Sequence, residues 1–146
     1  LMEAVCVTAL LAMLALMGIQ SSSAVSALTE RRSAQRVAEL KQTLEQVAER
    51  QILHFLDSSE FASSSDDLHL ASSAGVAIKL SRSAEGWSAT AVHERLGDAL
   101  GCAIYFGEVA PPSGPVTPSA PGEVYCTEPR TRGTTTYVIS RLSPTA

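Results

Sequence analysis

The first 110 residues of this 146-residue chain contain no proline, and the first 30 contain no lysine or arginine. Aromatic residues are few, and none precedes Phe55. The first shortage removes the usual helix breaker from most of the chain. With the second, the opening segment does not look like an intact secretory signal, which begins with basic residues before a short apolar core. The sequence also lacks a CxxCH haem-attachment pattern and an HExxH zinc pattern. No GxSxG, Walker or GxGxxG motif occurs, and His54, His69 and His93 show no paired-ligand spacing. Neither an enzyme nor a bound cofactor or metal is expected. Asp66 and Asp67 are adjacent carboxylates without the loop spacing or glycine of a calcium site. A net charge of −4 speaks against a dedicated nucleic-acid binder, which carries a basic domain.

What is present is unevenly distributed. Residues 1–19 (LMEAVCVTALLAMLALMGI) hold a single charge, Glu3. As a helix this stretch spans roughly 28 Å, close to the thickness of a bilayer core. It reads as an already processed N-terminus, a membrane anchor beginning at Leu1. A carboxylate among apolar neighbours is costly and usually has a partner or a function. Glu3 either sits solvated at the membrane interface or pairs with a buried cation, an α-amino group being the nearest candidate. A helix N-terminus favours a carboxylate in either case.

The helical pattern does not end there. Gly18 and Ser21–Ser23 weaken it locally, and Gly18 marks a point of helix flexibility. Beyond them Leu28, Val37, Leu40, Leu44, Val47 and Phe55 recur at spacings that fit one apolar face. Glu30, Arg31, Arg32, Arg36, Glu39, Lys41, Glu45, Glu49 and Arg50 run between them. One helix over residues 1–57 is predicted, roughly 85 Å long. Residues 1–27 form its apolar anchor and residues 28–57 its amphipathic half. The anchor cannot be solvated, so it needs lipid or identical helices from other copies. The Arg31–Arg32–Arg36 cluster is expected to be a solvated, ion-paired face; at the membrane border or against a neighbouring copy it would meet acidic groups.

Residues 58–146 read as a small antiparallel sheet with one face on the helix. Residues 58–74 form a surface loop with a short helical turn. In GVAIKLSR and GWSATAVH apolar residues alternate with polar or small ones around a Ser83-Ala84-Glu85-Gly86 turn, the pattern of a hairpin. Further strands are expected in LGCAIYFG, EVYCT and TTTYVISR. Residues 107–122 (GEVAPPSGPVTPSAPG) are proline-rich and favour extended, exposed backbone. They form a surface loop, with Ser113, Thr117 and Ser119 as candidate O-glycosylation sites.

Of three cysteines, Cys6 lies in the apolar segment and acts as a small hydrophobe. Cys102 and Cys126 lie in strand-like runs. Where the C-terminal part occupies an oxidising compartment they pair; the opposing reading is three reduced, buried thiols.

The segment LMEAVCVTALLAMLALMGI resembles the N-terminus of type IV pilins and of type II secretion pseudopilins. That family has a short apolar start, a glutamate, and a nearly pure apolar helix that continues as an amphipathic one. More loosely, GWSATAVH, GCAIYFG and VYCT resemble the strand-and-disulfide region of pilin globular domains. The resemblance implies a pilin-like α+β fold: one long N-terminal helix, its first third apolar and protruding, packed on a small antiparallel sheet. It implies a leader cut by a prepilin peptidase and N-methylation of the new first residue, here Leu1. Assembly machinery would then extract the subunit from the inner membrane into an extracellular helical filament of identical subunits. Glu3 would neutralise the α-amine of an adjacent subunit. The chain departs from the family in two ways. The family's glutamate lies two positions further from the first residue than Glu3 does from Leu1. Its helices also often carry a proline after the apolar segment, where Gly18 and Ser21–Ser23 stand here.

The expected function is that of a structural major pilin, serving adhesion, motility or attachment. The alternatives are a minor pilin or pseudopilin, and a single-pass membrane-anchored periplasmic sensor or tether. A DNA-uptake pilin using Arg31, Arg32, Arg130, Arg132 or Arg141 is opposed by the acidic net charge.

Overall fold

The computed structural model describes the backbone of residues 2–128 and the side chains of residues 24–128. A single helix, α1, runs over Met2–Ser58. Its backbone continues through Gly18 and Ser21–Ser23 without a break. The chain divides into two units, Leu1–Arg32 and Ser33–Ala146. Among the described residues no helix is long and apolar enough to cross a membrane. The anchor predicted at residues 1–27 lies mostly outside the residues whose side chains are described. The second unit is α+β: the later part of α1 packs on a four-stranded antiparallel sheet.

The sheet is made of β1 (Val76–Arg82), β2 (Gly86–His93), β3 (Gly101–Gly107) and β4 (Tyr125–Cys126), in the spatial order β1-β2-β3-β4. The registers Ile78↔Ala91, Leu80↔Ala89, Ala91↔Cys102 and Ala89↔Ile104 put one set of side chains on a common face. That face meets Val37, Leu40, Leu44 and Val47 of α1, with Trp87, Ala89, Ala91, Cys102 and Ile104 completing the core. The spacing of the four helical residues is the stripe that a 3.6-residue period turns toward one side.

Leu28 and Phe55, predicted on this stripe, are not part of it: Leu28 is 53% and Phe55 39% exposed. Leu28 belongs to the unit that does not carry the sheet. Phe55 stacks instead on Phe61, ring centroids 4.6 Å apart. The buried place one turn before it is taken by Gln51. The helix ends where Ser59 adopts φ 60°, the left-handed conformation of a helix C-cap, and its N–H donates to the Phe55 carbonyl.

The loop after the helix was expected to lie on the surface. Two of its residues, Ala62 and Leu68, are buried in the core. Its turn is held by Ser64 and Asp67, each side chain accepting from the other's backbone N–H. The β1–β2 hairpin closes as predicted, with the Ser83 N–H on the Gly86 carbonyl at 2.8 Å. Opposite that turn, Gly107 has φ +73°, and a methyl there would overlap the Glu85 carbonyl. Only glycine meets both demands. The strand predicted at TTTYVISR (134–141) lies outside the described residues.

Candidate functional site: a disulfide-tied loop and the free face of the helix

Cys102 and Cys126 sit directly opposite each other on β3 and β4. They form a disulfide. Cys102 is fully buried, its Sγ 3.6 Å from the Val37 carbonyl oxygen. A bridged sulfur has no proton to give, so this is a packing contact that sets the bridge against α1. Beyond β4, the Gly101 N–H donates to Thr127 Oγ1, and the Thr127 N–H donates to the Gly101 carbonyl. The bridge therefore closes the base of the segment that holds the proline-rich loop.

That loop departs from the expectation of a merely exposed segment. It folds back over the outer face of the sheet, the face turned away from α1. Gly114 lies against Thr90: a methyl added to it would come 3.2 Å from Thr90 Cγ2. One added to Gly101 would come 3.0 Å from Pro115 Cγ. Pro118 is buried, and the Gly122 N–H donates to the Tyr105 carbonyl at 2.7 Å. The Ser119 hydroxyl donates to Tyr125 Oη, whose own hydrogen goes to Glu123 Oε2. Under this cover Ser88, Thr90, Ala103 and Tyr125 are buried. The small side chains on β2 and β3 give the loop its close approach, so these strands are covered on both faces while Ala77, Lys79 and Ser81 on the outer side of β1 stay exposed.

Ser113 and Thr117 point into solvent. Ser119 is exposed as a residue, but its hydroxyl is engaged with Tyr125. Sequence reasoning missed the loop's contacts with the sheet through Gly114, Pro115 and Pro118. The signal for them was the pairing of glycine and proline with the small residues of β2 and β3.

Arg31 and Arg32 are exposed and Arg36 half-buried. They were expected to be ion-paired. Among the described residues the ion pairs are Lys41–Glu45 and Arg82–Glu60, so the arginine cluster has no carboxylate partner there. Leu1 lies outside the described residues, as do Arg130, Arg132 and Arg141. Glu3 and Gly18 fall in α1, in the stretch whose side chains are not described.

An open cavity of about 280 Å³ lies between the start of β1 and the end of β2, lined in part by His93, Glu94 and Asp98. His93 Nδ1 accepts the Arg95 N–H at 3.1 Å, which leaves the proton of the neutral ring on Nε2. Its described lining holds no serine, threonine, cysteine or lysine. Among the described residues no group of three or more His, Cys, Asp or Glu side chains is placed to hold a metal ion.

On α1 the apolar side chains Val25, Leu28, Ile52, Leu53 and Leu56 are exposed. No family model matches the chain, and neither does any curated protein or solved structure.

Proposed function

We propose that this protein is a structural subunit, a major pilin, of a type IV pilus-like extracellular filament. The observation that carries the reading is one element with two characters. A single helix holds an almost uncharged N-terminal stretch, with Glu3 its only charge over residues 1–19, and an amphipathic end packed on a disulfide-tied sheet. Burying that stretch against lipid before assembly, and against identical helices afterwards, removes its apolar surface from water in both states. Glu3 then needs a cation in an apolar setting, and the α-amine of a neighbouring subunit supplies one. The unassembled subunit belongs to the inner membrane and the filament to the cell surface.

Electron cryo-microscopy of sheared surface material, with Glu3→Ala compared against the parent, tests this. Helical filaments with residues 1–19 bundled at the centre, rare or missing in the variant, are the expected result. Discrete membrane oligomers that are indifferent to Glu3→Ala would replace the reading with an anchored sensor or tether.

A further inference from the structure

Two short patterns on α1 and just beyond it are copies of each other in spacing and opposite in charge. Val25, Leu28 and Arg32 stand at intervals of three and four residues; Leu53, Leu56 and Glu60 stand at the same intervals. In both, two apolar side chains one turn apart precede a charged one. The first carries a cation and the second an anion. All four apolar residues face water, from 53% exposure at Leu28 to 75% at Leu56. Arg32 is exposed and has no carboxylate partner among the described residues. Glu60 accepts Arg82 at 2.8 Å yet keeps 67% of its side chain exposed. Arg31 lies within the first pattern and Arg36 one turn beyond it, and Asp57 adds a second carboxylate to the other.

We propose that these two patterns are the two halves of one contact between copies of this chain. The Val25–Leu28–Arg32 segment of one subunit lies alongside the Leu53–Leu56–Glu60 segment of the next. This deepens the filament reading and rests on it. Side-by-side placement in the same direction sets Val25 and Leu28 on Leu53 and Leu56. The same register brings Arg32 to the end of the neighbouring helix, where Asp57 lies on α1 and Glu60 follows the left-handed turn at Ser59. Apolar burial supplies the attraction, and the charges select the register, since a slipped neighbour leaves Arg32 against apolar side chains. The two halves are different surfaces of the same subunit. Such a heterologous contact repeats from copy to copy and builds an open assembly rather than a closed dimer.

The test uses filaments sheared from cells producing the full chain. Leu28→Cys combined with Leu56→Cys places one thiol on each half. Mild oxidation is expected to give a covalent ladder of oligomers, and either single variant to give none beyond the parent's background. Arg32→Glu and Glu60→Lys are each expected to lower filament yield about tenfold, since like charges then face each other. The two together restore it. Rescue by the double variant separates a broken contact from a misfolded subunit. If the parent forms filaments, no ladder appears and the charge variants assemble like the parent, this contact is wrong and the filament reading stands. If the parent itself forms no filaments, both fall together. Preferential capture of the Leu53–Leu56 face by lipid vesicles, with no ladder, likewise overturns the inter-copy contact.

Discussion

The side chain of Gln51 pairs with the backbone of Ala62 in both directions. Its Nε2 donates to the Ala62 carbonyl at 3.0 Å, and its Oε1 accepts the Ala62 N–H at 2.8 Å. Gln51 is fully buried. The amide thus acts as a one-residue strand that ties the first loop back onto α1, at a helical position where the apolar stripe would place a hydrophobe.

Gln51→Leu keeps the bulk but strands a buried N–H and a buried carbonyl. Each unsatisfied group costs about 1–3 kcal/mol. The variant is expected to unfold at clearly lower denaturant concentration. Trp87, the chain's single tryptophan and a core residue, is a convenient fluorescent reporter of that transition in detergent-solubilised chain.

Replacing Cys102 and Cys126 by serine removes a covalent tie across a separation of 24 residues. The chain-entropy model puts the loss at about 3 kcal/mol. Proteolysis is expected to shift into residues 107–122, whose base is no longer clamped. Mapping the first cleavage sites by mass spectrometry, with and without reductant, checks this; a cutting pattern unchanged by reduction would contradict it.

Gly101→Val probes the cover on the outer face. A Cβ at this position would meet the Ala91 carbonyl at 2.7 Å and Pro115 Cγ at 3.0 Å. The strand cannot yield without losing its register, so the loop must lift or β3 must shift. Overpacking of this kind costs about 1–3 kcal/mol. Amide exchange at Gly122, whose N–H is held by Tyr105, is expected to quicken in the variant.

Acid should loosen the turn at residues 64–69. Hydrogen bonds from Ser64 hold the exposed Asp67 carboxyl below its ordinary value of 3.8. A folded value below the unfolded one means that the group stabilises the fold above 3.8. That contribution is lost as the pH falls through the lowered folded value. Carbon-detected NMR titration of Asp67 should give a midpoint below 3.8 in the parent and a higher one in Ser64→Ala, which loses the largest of the lowering contacts but keeps the backbone N–H donors.

Strongly periodic elements were legible in the sequence. The alternation in VAIKLSR and GWSATAVH yielded β1 and β2, and the Val37–Leu40–Leu44–Val47 spacing yielded the buried helix face, because each pattern is local. The pairing of Cys102 with Cys126 was also foreseen. The rest depended on what lies across from a residue in space. Nothing local says that Gln51 is buried, since its partner is a backbone group eleven residues on. The proline-rich loop was assigned to the surface from composition, and all of it but Pro118 keeps some exposure. The contacts it makes with the sheet depend on residues that precede it in the chain, Thr90 and Gly101. The arginine cluster read as a solvated, ion-paired face, yet among the described residues it forms no ion pair. Glu3, on which the functional reading leans most, lies where side chains are not described.

A loop with one side fastened and one side free sets its own rules for change over generations. Gly114, Pro115 and Pro118 answer to the sheet beneath them, whereas Ser113 and Thr117 answer only to the surroundings. Substitution or decoration at Ser113 and Thr117 can therefore accumulate without disturbing the fold. The outer side of the loop is free to vary while the sheet beneath it stays the same.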